Sequence, residues 1–106
     1  MPRSASLLSA ALLCLPVCAD PLPPERQQEL EHLLLQDCGS CHGMRLTGGL
    51  GPALTPAALA GKPRELLVAT IREGRTGTPM PPWKNLLSEA DIAWLVDRLL
   101  HPDGNP

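Results

Sequence analysis

The spacing of apolar and polar positions predicts three helices between residues 22 and 102. Leucines at helical spacing, with charged residues between them, predict the first helix over residues 24–36. The second is predicted over residues 63–73, because proline suits a first helical turn and Gly74 suits a helix end. The third begins after a capping-box pattern and ends before Pro102. It has the clearest amphipathic pattern of the chain, made by Ile92, Leu95, Val96 and Leu99.

Two glycine- and proline-rich segments separate these helices. Residues 43–54 hold four glycines and one proline, and residues 74–82 are rich in glycine, threonine and proline, so both are predicted to be loops. Thr55 and Pro56 can cap a single short helical turn that reaches Ala60. No strand pattern stands out. The expected fold is therefore all-α, with three main helices, one short turn of helix and no sheet.

The first residues have the pattern of a secretory signal peptide. A short basic start is followed by an apolar stretch over residues 7–17, and small residues lead to Ala19, after which we expect cleavage. The apolar stretch is shorter than the roughly 20 residues that a membrane-spanning helix needs. An uncleaved anchor and a lipidated Cys18 are the alternatives. We expect a signal peptide over residues 1–19 and one domain over residues 20–106, without a membrane span after processing.

The composition limits the functions open to this domain. Removing 19 of the 106 residues leaves 87, with Cys38 and Cys41 as its cysteines, so no further pair remains for a structural disulfide. The formal charge of the whole chain is −2, without a basic block, which argues against nucleic-acid binding. With no Phe, no Tyr and two Trp, so small a domain needs another source of buried apolar surface.

The strongest chemical signal is a C-x-x-C-H motif made by Cys38, Cys41 and His42. In an exported protein this spacing is typical of covalent attachment of one c-type haem. Each thiol can form a thioether to a haem vinyl group, and the histidine is placed to coordinate the iron from one face. Zinc binding and dithiol redox chemistry are the alternatives. However, no second ligand pair follows at zinc-site spacing, and no βαβ pattern accompanies the cysteines.

Met80 is the candidate for the second axial ligand of the iron. Methionines mostly fill gaps in a core, but this one lies on a loop between prolines that hold the chain extended. A thioether paired with histidine also raises the reduction potential of a haem. Met44 is the competitor, but it lies only two residues after His42 and is expected to stay on that side. His32 and His101 are expected to be solvated.

Two further residues are expected to contact the haem. A carbonyl in the glycine–proline loop downstream of His42, for which we choose that of Pro52, can accept a hydrogen bond from the second ring nitrogen and so orient the ligand. An ordinary turn is the alternative there. Trp83 can pack on the haem or donate its indole N–H to a propionate, although a core position suits it equally. The arginines that can approach a propionate, or simply remain solvated, are Arg45, Arg72 and Arg75.

In the order of these elements the chain resembles the class I cytochrome c family. The resemblance covers essentially all of residues 20–106, and its specific parts are the C-x-x-C-H motif and the methionine loop. It implies a small cytochrome c fold around one covalently bound haem. The implied roles are thioethers at Cys38 and Cys41, the proximal iron ligand at His42, the distal iron ligand at Met80, and the carbonyl acceptor at Pro52.

The first and last helices depart from the family pattern. The family usually packs a glycine and an aromatic residue of the first helix against an aromatic residue of the last. The corresponding first-helix positions hold Leu30 and Leu34, and Trp94 or Arg98 falls near the aromatic position of the last helix. We therefore expect an aliphatic helix crossing and an apoprotein that is looser than usual.

More narrowly, residues 36–44 and 77–83 are similar to those of small monohaem cytochromes encoded beside the dissimilatory nitrite reductase that contains haem c and haem d. Because two strong ligands would fill the iron, we expect a periplasmic, monomeric one-electron carrier and not an enzyme. The resemblance implies a redox protein partner in denitrification, the nitrite reductase. The alternatives are a factor in maturation of the haem d, and a haem enzyme or gas sensor whose Met80 is displaceable.

Overall fold

The structure is a computed structural model that describes residues 2, 4–13 and 22–104. Every regular element in these residues is helical, which confirms the all-α prediction. The predicted cleavage site after Ala19 and the alternative lipidation site at Cys18 lie outside the described residues. The elements, in chain order, are α1 (Pro24–Leu33), a π-helical segment (Leu34–Cys38), α2 (Gly39–His42), α3 (Pro56–Leu59), α4 (Arg64–Glu73) and α5 (Glu89–Leu100).

The first helix extends further than the leucine spacing predicts. α1 passes without a break into the π-helical segment and then into α2, so the helical chain continues to His42 and does not stop at residue 36. Within it, the N–H of Gly39 donates to the carbonyl of Leu34, five residues earlier. Such π-turns inside α-helices are frequent at functional sites. All three residues of the C-x-x-C-H motif therefore lie at the end of one continuous helical rod.

The other helices begin and end close to the predicted positions. Thr55 caps α3 by accepting a hydrogen bond from the amide of Ala58, and α3 ends one residue before Ala60. α4 starts directly after Pro63 and ends at Glu73, and the following Gly74 has a φ of 67°, which favours glycine. α5 is preceded by a capping box in which two reciprocal hydrogen bonds, of 3.0 and 3.1 Å, join Ser88 and Asp91.

The crossing of the helical rod with α5 is aliphatic. Leu30 and Leu34 from the rod pack with Ile92 and Leu95 from α5 in one core cluster, and none of the four is more than 1% exposed. Trp94 is half-buried at the side of this cluster. The aromatic contact that the family usually has at this crossing is thus replaced by branched aliphatic packing.

Two bidentate ion pairs join α1 to α5 beside the aliphatic contact. Arg26 donates to both carboxylate oxygens of Asp91, at 2.7 and 3.0 Å, and Arg98 donates to both of Glu31, at 2.6 and 2.8 Å. Planar guanidinium groups favour this two-point geometry. Arg98 lies near the position where the family usually has an aromatic residue. Here it links α5 to α1 through its ion pair with Glu31.

Across residues 22–104 and the described part of the N-terminal segment, no helix combines the length and the apolar character needed to cross a membrane.

Candidate functional site

The helices surround a cavity of about 630 Å³. It is lined by side chains from the helical rod, α3, α4, α5 and both predicted loops, and most of these side chains are apolar. The apolar walls include Leu34, Leu59, Leu67, Ile71 and Leu95. Small-molecule sites are usually concave, largely apolar and roughly 300–1,000 Å³ in volume. The cavity therefore has the size and character of a cofactor site.

Both cysteines of the C-x-x-C-H motif line this cavity and are half-buried free thiols. Burial raises the pKa of the Cys38 thiol to about 11, and the negative charge of Asp37 adds to that effect. Dithiol redox centres depend on a thiol whose pKa is lowered, since the thiolate is the reactive form. Cys38 has the opposite environment and is therefore not an activated thiol of that kind.

His42, also at the cavity wall, is oriented by the first loop. Its Nδ1 lies 2.7 Å from the carbonyl oxygen of Pro52. Because a carbonyl oxygen can only accept, Nδ1 is the donor in this hydrogen bond, which leaves Nε2 as the ring nitrogen available to a metal. Metal-bound histidines are commonly held in this way by a carbonyl or carboxylate. The hydrogen bond is present at the position that the sequence predicts.

The loop after His42 is folded tightly against the ring and depends on glycine. A Cβ on Gly51 would lie 2.8 Å from both Cε1 and Nδ1 of His42. The amide of Gly51 donates to the carbonyl of Cys41 at 2.7 Å, and the amide of Gly48 donates to the carbonyl of His42 at 2.8 Å. The backbone of residues 43–52 therefore packs directly on the motif.

Met80 reaches the cavity from a loop that is anchored on the end of α4. The carbonyl of Met80 accepts a hydrogen bond from the amide of Arg75 at 3.2 Å. Further along, the amide of Trp83 donates to the carbonyl of Ile71 at 3.0 Å. Met80 is half-buried and lines the cavity together with Trp83, which is half-buried as well.

The competing ligands from the sequence do not line the cavity. Met44 is 60% exposed and lies beside Gly39, outside the cavity lining. His32 is exposed, and His101 lines a separate surface cleft together with Trp94. Among the described residues, no three His, Cys, Asp or Glu side chains are grouped as a metal site.

The three candidate arginines have different surroundings. Arg72 donates two hydrogen bonds of 2.7 Å to Glu89 on α5. Arg45 is exposed and does not line the cavity, whereas Arg75 does. Lys62 also lines the cavity. Its local sequence gives no sign of this position, because the pattern is that of a solvated turn residue.

These side chains fit a c-type haem. Two thiols and an oriented histidine come from the end of the helical rod, a thioether comes from the methionine loop, and all of them border one apolar cavity. A large apolar disc held there would supply the buried surface that the aromatic-poor core lacks.

The comparisons with known proteins agree with this chemistry. The family model "Cytochrome C oxidase, cbb3-type, subunit III" matches residues 25–97. Cytochrome c55X of Pseudomonas aeruginosa is 68% identical over 93 residues, which are 87% of this chain and 78% of that protein. The solved structure of the c-type cytochrome NirC is 67% identical with a TM-score of 0.76, covering 80% of this chain and 100% of that one.

A larger solved structure contains a similar unit. The dihydro-heme d1 dehydrogenase NirN, in complex with DHE, is 34% identical with a TM-score of 0.62, and the match covers 66% of this chain and 15% of that one. The chain therefore belongs to the cytochrome c family, as its sequence resemblance predicts, and within that family it is similar to the small c-type cytochromes c55X and NirC.

Proposed function

We propose that this protein is a periplasmic one-electron carrier that holds a single c-type haem, attached covalently through Cys38 and Cys41. The observation that carries the proposal is the convergence of both thiols, His42 and Met80 on one apolar cavity of about 630 Å³. A c-type haem, when bound, supplies a one-electron couple at its iron.

In this proposal the residues of the chain bind and orient the haem. His42 donates its Nδ1 proton to Pro52 and offers Nε2 as the proximal ligand. Met80 offers its thioether as the distal ligand, from a loop tied to α4 by backbone hydrogen bonds. Trp83 packs beside the cofactor, and the apolar walls exclude water, which helps to set the reduction potential.

The proposal assigns the protein no catalytic residue. With His42 and Met80 both bound, no coordination position remains for a substrate. Both ligands are also held firmly, since the loop around Gly51 packs on the histidine ring and Gly74 packs on the backbone of Met80. Such rigid support suits a protein that changes charge by one electron without rearranging.

The proposed mature protein is residues 20–106, a monomer without a membrane span, after removal of a signal peptide over residues 1–19. The described part of the N-terminal segment supports this division. Its leucines make no contribution to the buried core, because they are between 86% and 95% exposed: Leu7, Leu8, Leu12 and Leu13.

The proposed partner is a redox protein, the nitrite reductase with haem c and haem d, in denitrification. Support comes from the sequence resemblance and from the similarity to NirC and cytochrome c55X. A second candidate is a role in maturation of the haem d. The similarity to NirN, a dihydro-heme d1 dehydrogenase, favours that candidate.

Optical spectroscopy of the purified, oxidised holoprotein tests the ligand set. A charge-transfer band from the methionine to the iron should be present and should vanish in Met80→Ala. Met44→Ala is the matched control and should keep the band, because Met44 lies outside the cavity lining. A band that survives in Met80→Ala would show that the distal ligand is another residue.

Met80→Ala also separates electron delivery to the reductase from a role in maturation of the haem d. Loss of the distal thioether should change the potential and the rate of electron delivery to the reductase. A maturation factor that only binds its partner should keep its function in Met80→Ala.

A further inference from the structure

Two positively charged side chains border the cavity, those of Lys62 and Arg75. Both are exposed, so they lie at its rim. Among the described residues, the other ionisable side chains in the lining are the two cysteines, His42 and one carboxylate, Asp37. An otherwise apolar cavity with two cations at its rim matches a ligand that is apolar over most of its surface and carries negative charge where it reaches the rim.

Neither of these cations has an acidic partner within the described residues. The other cations of the folded domain mostly do: Arg26, Arg64, Arg72, Lys84 and Arg98. Arg45 also forms no ion pair there, but it does not line the cavity. The positive charge that remains available to a bound anion is thus concentrated at Lys62 and Arg75.

The two cations come from different segments, each with a fixed backbone. Lys62 lies in the turn between α3 and α4, and its amide donates to the carbonyl of Leu59 at 3.1 Å. Arg75 lies at the base of the methionine loop. Its carbonyl accepts from the amide of Thr78 at 3.1 Å and from the hydroxyl of the same residue at 2.8 Å. Both side chains therefore start from defined positions on the rim.

We propose that Lys62 and Arg75 bind the two propionate carboxylates of the haem, an inference that rests on the proposed function. A haem has apolar faces, and its propionates lie across the ring from the vinyl groups that Cys38 and Cys41 would hold. A carboxylate leaving water needs a charged or hydrogen-bonding partner. Asp37, beside Cys38, would repel it, so Lys62 and Arg75 are the charged partners that the lining offers to a carboxylate.

This assignment gives the two residues different roles in recognition. The guanidinium of Arg75 can donate two parallel hydrogen bonds to one carboxylate, whereas the ammonium of Lys62 acts as a point charge. Because the backbone of Arg75 also carries the hydrogen bond to Met80, the same residue connects the propionate edge with the proposed distal ligand.

Resonance Raman spectroscopy of the reduced holoprotein reads the propionates directly. In Lys62→Gln and Arg75→Gln, the propionate bending bands should shift to the lower frequency of a more weakly hydrogen-bonded carboxylate. Arg75→Lys should restore part of the shift, and Arg45→Gln, the matched control, should leave the bands unchanged. The midpoint potential should fall in both Gln variants by more than in Arg45→Gln, since a lost cation favours the oxidised iron.

The outcomes separate this inference from the proposed function. If all proteins carry haem but the propionate bands of both Gln variants match the wild type, the inference is wrong and the haem proposal stands. If electron transfer to a partner slows while the bands stay fixed, the cations form a docking surface and the inference is wrong as well. A wild-type protein expressed with haem maturation that carries no haem would overturn the proposed function itself.

Discussion

Gly74 and Met80 are in direct backbone contact. A Cβ on Gly74 would lie 2.6 Å from the carbonyl oxygen of Met80 and 2.6 Å from the carbonyl carbon of Pro81. Gly74 also has a φ of 67° and a ψ of −165°, a region of backbone space that is essentially restricted to glycine. The end of α4 therefore determines where the methionine loop can lie.

Replacing Gly74 with alanine should displace Met80. Real Cβ atoms essentially never approach backbone atoms as closely as this substitution requires, so the loop must move. We expect the methionine–iron charge-transfer band to weaken or disappear, together with a loss of stability of roughly 1–3 kcal/mol from the strained backbone. Absorption spectra and urea unfolding of the holoprotein measure the two effects.

Gly77 provides the control for that prediction. It has a φ of 79°, but a Cβ there would have no atom within 4 Å. Gly77→Ala should therefore lose stability through backbone strain and keep the charge-transfer band. If both variants lost the band equally, the loss would come from backbone strain in the loop and not from the contact between Gly74 and Met80.

The close approach of Gly51 to His42 leads to a second prediction. In Gly51→Ala the new methyl group would lie 2.8 Å from Nδ1, so the ring must turn away from the carbonyl of Pro52. Without that hydrogen bond the imidazole is a weaker donor, and the oxidised iron loses more stabilisation than the reduced iron. We expect a higher midpoint potential in a spectroelectrochemical titration.

Thr47→Ala is a suitable control, because Thr47 lies on the same loop, is exposed and does not line the cavity. Its potential should stay near that of the wild type. A Gly51→Ala protein with an unchanged potential would show that the contact with Pro52 does not tune the ligand.

Much of the fold was predictable because its signals are local. Prolines and glycines at helix ends, and the Ser88–Asp91 capping box, act within a few residues of where they stand. The hydrogen bond from His42 to Pro52 was predictable for a similar reason, since only ten residues separate the two and a glycine–proline loop joins them.

Other features depend on contacts that no local pattern records. The π-turn at residues 34–38 follows leucine spacing that also suits an ordinary α-helix. The pairing of Arg98 with Glu31 joins residues 67 positions apart. The place of Lys62 on the cavity rim arises only when α3 and α4 are packed. Gly74 was predictable as a helix end, but its contact with Met80 was not.

The ion pair between Arg26 and Asp91 predicts a dependence of stability on pH. The hydrogen bonds from Arg26 lower the pKa of Asp91 from 3.8 to about 2, and those from Ser88 contribute. The unfolded chain titrates this group near its ordinary pKa of about 3.9. The contribution of this ion pair to the free energy of unfolding is therefore complete above the unfolded pKa. It disappears as the pH falls through the pKa of Asp91 in the folded protein.

Arg26→Gln should remove this pH-dependent stabilisation. It leaves the carboxylate of Asp91, which is only 5% exposed, without its charged partner. We expect a lower urea midpoint at pH 7 and a difference from the wild type that shrinks as the pH approaches 2. Arg64→Gln is the control, because its partner Asp97 has a side chain that is 54% exposed, and exposed pairs contribute little. If the urea midpoints of Arg26→Gln and the wild type differed by the same amount at pH 3 and pH 7, the ion pair would not be the source of the pH dependence.

Carbon monoxide binding tests whether the iron is open, as a gas sensor or haem enzyme requires. Met80 is half-buried, and the amide of Arg75 and the contact with Gly74 hold its backbone, so the reduced wild-type protein should bind carbon monoxide slowly or not at all at neutral pH. Met80→Ala should bind it rapidly, and Gly77→Ala should behave as the wild type. Gly74→Ala should fall between these limits, since a displaced loop exposes the iron for part of the time. Stopped-flow mixing measures all four proteins, and wild-type binding as fast as that of Met80→Ala would favour the gas-binding alternative over the electron carrier.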